Sequence, residues 1–322
     1  PMSGGYHMNL MRAESPGPSV ERFVPTVKST AKILYGIYIC LSLLELLLLL
    51  VGKMPMFDAL TLTFGTAGTG GFGIKNDSIG SYTTYQQTVI TIFMILFGVN
   101  FNVYFLFLLK KIRQGLKNEE LRAYLGIILG AILLITVNIA GKFGNPFLAF
   151  HHAAFQVGSI ITTTGYSTVD FNTWPTFSKT VLGLLMLIGA SAGSTGGGIK
   201  VSRIVILAKS VKKELKQYLH PHSISKIKMD GKPVEHEVVR SINVFLIAYL
   251  LIYAVSMLIV SLDNFDFTTT FTSVAATINN IGPGLDLVGP AANFGILSVP
   301  SKLVLIFDML AGRLEIFPLL LL

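Results

Sequence analysis

Thr163-Thr164-Gly165-Tyr166-Ser167 lies between a short apolar stretch, Phe147 to Ile161, and a longer one at about 181–199. The same order occurs twice more. Phe57 to Thr66 leads into Thr69-Gly70-Gly71-Phe72-Gly73, and Phe267 to Ile278 leads into Asn280-Ile281-Gly282-Pro283-Gly284. Each turn carries glycine at its third position and a ring at its fourth. Internal repetition constrains architecture more than any local propensity does. Here the repeating unit is a long apolar stretch, a short one, a Gly turn and a second long stretch.

The rest of the chain fits that frame. Apolar stretches that reach or approach spanning length occur at about 31–51, 88–109, 123–140, 181–199, 241–262 and 303–322. A bilayer core about 30 Å thick needs roughly 20 mostly apolar residues per helix. Hydrophobic residues make up 52 % of the 322 and charged residues only 13 %, against about 25 % charged in soluble domains. This excludes an ordinary soluble enzyme, a disordered chain and a disulfide scaffold. Cys40 is the single cysteine and lies in an apolar run, so it forms no internal disulfide. The reading is an all-α polytopic membrane protein set in a lipid bilayer. The chain begins at Pro1 and ends in Leu319-Leu320-Leu321-Leu322, and we expect it to be a piece of a longer protein.

Charge orients the spans. Segment 110–122 holds Lys110, Lys111, Arg113, Lys117 and Arg122, and segment 200–240 holds ten basic residues against four acidic ones. The stretches around the Gly turns hold few. The positive-inside rule places the basic segments in the cytoplasm and the Gly turns toward the outside. With six spans beside them, the basic segments read as topogenic or as docking faces for anionic lipid or a cytosolic partner, not as a nucleic-acid site.

Two glycine motifs invite other readings. Gly68-Thr69-Gly70-Gly71-Phe72-Gly73 fits G-x-G-x-x-G, but follows a short apolar helix, and 78–109 contains no Asp or Glu to bind a ribose. Gly193-Ser194-Thr195-Gly196-Gly197-Gly198-Ile199-Lys200 misses a phosphate loop because Ile199 separates Gly198 from Lys200. It interrupts an apolar span instead. Each glycine costs a helix about 1 kcal/mol relative to Ala. Non-helical backbone at membrane depth persists only where protein buries it or it lines a water-filled cavity. The loop therefore lies on a pathway or is buried by the other repeats.

The Gly turns suit a ring of cation ligands. Backbone carbonyls replace an alkali cation's hydration shell when consecutive residues aim them at one axis, which calls for glycine where φ turns positive. Thr162-Thr163-Thr164-Gly165-Tyr166 is similar to the Thr-Val-Gly-Tyr-Gly filter of potassium channels.

The chain resembles the Trk/Ktr/HKT superfamily of potassium transporters, and its bacterial Trk branch most. The resemblance rests on Ala13-Glu14-Ser15-Pro16-Gly17-Pro18, the three turns, Ala192 through Lys200, Asn279 through Gly284, and Gly312-Arg313-Leu314-Glu315. It implies repeated helix, pore helix, filter loop and helix units in a pseudo-fourfold arrangement, with three of four units present and the first upstream of Pro1. The divisions expected are a cytoplasmic linker 1–30, the second unit 31–109, a linker 110–122, the third unit 123–208, a basic insertion 209–240 and the fourth unit 241–322. Three units alone should not close around an ion.

The resemblance further implies potassium uptake through a channel-like pore in the cell's inner membrane. Potassium would be the cargo and symport a candidate mode, with no organic cofactor or enzymatic step. The filter residues would be Thr69, Gly70, Gly71, Phe72, Thr164, Gly165, Tyr166, Asn280, Ile281, Gly282 and Pro283. The gate would be Gly193, Ser194, Thr195, Gly196, Gly197, Gly198 and Arg313. The expected partners are a second copy, forming a homodimer, and a cytosolic nucleotide-binding regulatory subunit of the TrkA or KtrA kind.

From physics alone, an arginine inside an apolar span is functional by default. Its structural alternative is a salt bridge to Asp308 or Glu315, or snorkelling from a helix end. His151 and His152 lack a third ligand nearby and read as packing or vestibule residues. Glu45 reads as a partner for another helix. The competing class is an alternating-access secondary transporter, whose Gly-broken helices look alike. Its repeats are often inverted, whereas here an even number of spans separates successive turns.

Overall fold

The computed structural model describes residues 27–220 and 226–313. Helix α1, Val27–Val51, is followed by the short α2, Met56–Ala67, and by α3, Thr84–Phe97. Then come α4, Phe101–Leu108, α5, Ile112–Leu116, α6, Glu119–Phe143, α7, Pro146–Ile161, and α8, Thr176–Ile188. Helix α9, Val201–Leu219, leads to a hairpin of β1, Lys228–Met229, and β2, Lys232–Pro233. The chain continues through α10, His236–Val260, α11, Phe267–Ile278, and α12, Val299–Arg313. It is a helical membrane protein. The expected short helices are α2, α7 and α11, each within a residue or so of its sequence-based bounds.

Local chemistry starts these helices. Thr83 and Gln86 form a reciprocal capping box at α3. Asn118 caps α6, Asn145 caps α7 with Pro146 at its first turn, and Asp266 caps α11. Helices α1, α6 and α10 are long and apolar enough to cross a bilayer. Leu129, Leu133 and Val137 on α6 and Leu250, Leu251 and Leu258 on α10 remain exposed, as on helices that face lipid.

The second long stretch departs from a simple span in the first two of the three repeats described. The run at 88–109 is not one helix: α3 and α4 meet at 89°. The cause is a break at 98–100 whose freed backbone groups find partners. Tyr124 Oη donates to Ile95 O at 3.0 Å and Tyr104 Oη to Leu96 O at 2.7 Å. Thr195 N donates to Phe97 O at 3.4 Å and Ser191 N to Gly98 O at 3.1 Å. Asn100 then restarts the chain by capping α4 through Asn102 N at 2.9 Å. A Cβ on Gly98 would sit 2.2 Å from the Tyr124 hydroxyl, so the corner needs glycine for close approach. The stretch at 181–199 likewise stops at Ile188, and residues 189–200 form the Gly loop. The stretch expected at 303–322 is helical to Arg313, and its remainder lies outside the described residues.

The short helices pack between their flanking helices: α2 between α1 and α3, α7 between α6, α8 and α3, α11 between α10 and α12. One apolar core joins the second and third repeats through Tyr124, Ile135, Phe171, Tyr249 and Val274. Another fills the space among α1 to α4, and Phe155 of α7 and Tyr166 of the turn after it enter it. On the basic side, Asp230 at the hairpin tip accepts from Asn118 Nδ2 and Glu119 N, both at 2.7 Å. The hairpin therefore seals the start of α6.

Candidate functional site

The three Gly turns share one backbone geometry. Their first residues, Thr69, Thr163 and Asn280, have φ of 49°, 58° and 54°, and their third, Gly71, Gly165 and Gly282, have φ of 65°, 88° and 109°. The second residue's N–H reaches back to the preceding short helix in each: Gly70 N to Gly65 O at 2.8 Å, Thr164 N to Ser159 O at 2.9 Å, and Ile281 N to Ala276 O at 2.8 Å. Two residues at positive φ, one on each side of the second, turn the chain back on itself. Glycine bears this conformation without steric cost.

The turns meet head to tail. A Cβ on Gly71 would lie 1.8 Å from Thr164 O, and one on Gly165 would lie 1.9 Å from Ile281 O. A Cβ on Gly282 would meet nothing within 4 Å. Among the described residues the row thus has one open side, between the third turn and the first. A cavity of about 690 Å³ occupies that side, lined among others by Thr69, Phe72, Gly282, Leu305, Met309 and Arg313. The rings behave accordingly. Tyr166 is buried behind the first turn, its hydroxyl 3.4 Å from Leu62 O and from Phe72 O. Phe72, in the matching position, is 78 % exposed beside the cavity. Pro283 packs against Gly165.

The loop 189–200 lies against all three turns. Thr195 O accepts from Thr69 Oγ1 at 2.9 Å. Gly197 N donates to Thr163 Oγ1 at 2.7 Å. A Cβ on Gly197 would stand 2.6 Å from Asn279 O, and one on Gly196 would stand 2.9 Å from Thr162 O. Ala190 N donates to Gly197 O at 3.3 Å, and Lys200 Nζ donates to Gly196 O, closing the loop on itself.

Arg313 completes the cluster. Its Nη1 donates to Thr195 O at 3.3 Å and its Nη2 to Gly68 O at 3.5 Å. Asp308, the salt-bridge partner of the structural alternative, accepts from Ser256 Oγ at 2.8 Å, and Glu315 lies outside the described residues. Of the expected gate, Thr195, Gly196, Gly197 and Arg313 touch the turns directly. Gly193 faces the α3–α4 corner instead, where its O accepts from Phe101 N at 3.1 Å, and Ser194 bonds within the loop, its Oγ donating to Ser191 O at 2.6 Å. Gly198 packs on Gly189.

Other polar residues are placed as well. His151 Nε2 lies 2.7 Å from Gln87 Oε1, and His152 Nδ1 lies 2.9 Å from Thr168 Oγ1. Glu45 is buried on α1. Sequence reasoning missed Asn100, Glu120 and the Thr163 hydroxyl. Asn100 leaves a signal, as a polar residue after glycine inside an apolar run. Thr163 stands in the quoted motif but was assigned no role.

The sequence matches the family described as TrkH, cation transport protein, over residues 3–143 and 145–322. The chain belongs to the TrkH family. It is 36 % identical to the Trk system potassium uptake protein TrkH of Salmonella typhimurium over 327 residues, covering 100 % of this chain and 67 % of that protein. It is 32 % identical to TrkG of Escherichia coli, again over 100 % of this chain and 67 % of the relative. The crystal structure of the potassium transporter TrkH from Vibrio parahaemolyticus superposes with a TM-score of 0.84 at 35 % identity, covering 94 % of this chain and 65 % of that one. The chain therefore spans about two thirds of the length of the family members it matches.

Proposed function

We propose that this chain forms most of a potassium uptake pathway in the inner membrane, with the Gly turns as filter and the loop with Arg313 as gate. The observation that carries the reading is the head-to-tail row of three equivalent turns with one loop hydrogen-bonded beneath it. Thr69, Gly70, Gly71, Phe72, Thr164, Gly165, Tyr166, Asn280, Ile281, Gly282 and Pro283 supply or support carbonyl ligands for the cation. Gly193 to Gly198 close the inner side. The relatives are named potassium uptake proteins, which does not favour the alternating-access alternative.

The wider assembly belongs to the same reading. A fourth unit of pseudo-fourfold arrangement fills the open side, where Phe72 waits for the packing that Tyr166 already has. The complete protein pairs as a homodimer and works by symport or simple conduction. Its basic faces, 110–122 and 200–232, dock a cytosolic nucleotide-binding regulator of the TrkA or KtrA kind. No organic cofactor is needed, because carbonyl ligation and an electrostatic barrier suffice for selection and gating.

The test is Gly165→Ser in the full-length protein. At φ of 88° and with Ile281 O 1.9 Å from the new Cβ, neither turn can keep its position. The expected outcome is a several-fold fall in potassium over sodium permeability in reconstituted vesicles. Unchanged relative permeability in folded protein overturns the filter assignment.

A further inference from the structure

Glu120 has no part in the filter or in ion contact, yet it is buried where the gate meets two other elements. It lies in the first turn of α6, 4 % exposed. Its Oε1 accepts from Ala192 N at 2.6 Å and its Oε2 from Asn100 Nδ2 at 3.0 Å. Ala192 opens the Gly loop. Asn100 caps α4 at the 89° corner, using its Oδ1 for Asn102 N. One carboxylate thus joins the start of α6, the α3–α4 corner and the Gly loop, with Ser202 at the start of α9 beside it as well.

We infer that Glu120, held by Asn100, is a positioning residue that latches the intramembrane loop in its closed place. The inference rests on the loop being the gate. Three consecutive N–H groups fix the loop's entry. Ala190 N goes to Gly197 O, Ser191 N to Gly98 O, and Ala192 N to Glu120. The last is a charge-assisted bond, the stronger kind. The loop cannot leave the turns without withdrawing Ala192 N from the carboxylate or carrying Glu120 along. Glu120 is poorly placed to follow, because α6 begins under the hairpin: Asp230 holds Asn118 and Glu119 N, and Lys209 holds the Glu119 carboxylate and Lys228 O. Removing the carboxylate's bond to Ala192 loosens the loop relative to a fixed scaffold.

The geometry offers an exchange that separates latch from scaffold. Glu120→Gln creates a mismatch at Asn100. If the carbonyl oxygen of the new side chain serves Ala192 N, its amide faces the Asn100 amide. Asn100 cannot flip without losing the cap on Asn102. Adding Asn100→Asp reverses the pair: the introduced glutamine amide donates to the new carboxylate, which still caps α4.

The experiment uses the full-length protein reconstituted in vesicles, with potassium flux normalised to folded, monodisperse protein and measured without a cytosolic partner. Glu120→Gln should raise partner-independent flux, roughly tenfold for the loss of charge from the bond to Ala192 N and the mismatch with Asn100 in the closed state. Glu120→Gln with Asn100→Asp should return it to within about twofold of the parent. Arg313→Ala is measured beside them. If Arg313→Ala raises flux while Glu120→Gln leaves it at the parent level, the latch is refuted and the gate reading stands. If no variant, Arg313→Ala included, moves the flux, the gate reading itself fails. A folded double variant that conducts as the single one does also overturns the latch, since only the paired geometry predicts rescue.

Discussion

Arg313→Ala tests the gate most directly, because two effects of different size act there. Its guanidinium makes two long hydrogen bonds, 3.3 Å to Thr195 O and 3.5 Å to Gly68 O, from an exposed position. Bonds of that length and exposure contribute about 1 kcal/mol together, at the low end of the range for charged donors. Its charge acts on any cation passing Thr195. Two unit charges about 4 Å apart repel by about 1 kcal/mol in water and about 4 kcal/mol at an effective dielectric near 20. The barrier to ion passage should therefore fall by about 1–4 kcal/mol, a fivefold to several-hundredfold rise in flux, while stability falls by about 1 kcal/mol or less. Arg313→Lys separates the terms. It keeps the charge and loses the fork, so it should retain most of the block if electrostatics dominate. The assay is potassium flux into vesicles holding the full-length variants, normalised to folded protein, with Tm recorded in parallel. If Arg313→Ala lowers Tm and leaves flux per folded molecule unchanged, Arg313 is a structural residue and the gate assignment for it is wrong.

Two further predictions concern the frame that holds the site. Tyr124→Phe removes the hydroxyl that satisfies Ile95 O at the α3–α4 corner. It should lower stability by about 1–2 kcal/mol as a buried carbonyl loses its donor, read as a drop in Tm of the detergent-solubilised protein. Asp230→Ala frees Asn118 and Glu119 N at the start of α6. It should cost about 1 kcal/mol and speed hydrogen exchange of the Glu119 amide, with exchange in α11 unchanged.

How much of this was legible in the sequence follows from the range of the interactions. The turns were readable because their geometry is local: a residue pair at positive φ, one of them glycine, after a short helix. The bounds of α11, Phe267–Ile278, were read to the residue for the same reason, since Asp266 caps it within its own first turn. The corner at 98–100 was not readable as a sharp bend. Val89 through Leu109 is almost wholly apolar, and the groups that make the break tolerable come from elsewhere: Tyr124 on α6 and Ser191 and Thr195 in the loop. Glu120 was hidden for a related reason. Beside Asn118 and Glu119 it looks like ordinary helix-start chemistry, and only the fold brings Ala192 and Asn100 to it.

The Gly loop shows how composition can mislead about state. Six Gly, Ser and Thr residues in a row suggest flexible backbone, and hinge-like motion on the microsecond-to-millisecond scale fits that composition. In this structure the same residues are closely engaged. Gly196 and Gly197 have no room for a Cβ because carbonyls of Thr162 and Asn279 stand 2.9 and 2.6 Å from where it would be. Gly312 beside Arg313 is tighter still, at 1.7 Å from Ile278 O. Glycine here permits approach as much as motion. A loop of larger residues could not lie against three turns at once, and a straight helix could not offer Thr195 O to Thr69 and Arg313 together. Its position in this structure is therefore held by hydrogen bonds at Gly98, Thr69, Thr163, Arg313 and Glu120, with Ala190, Ala192 and Ile199 buried beside them. Each net contribution of such bonds is of order 1 kcal/mol. If the loop is the gate, bonds of that size make its release by a docked partner a matter of a few kcal/mol.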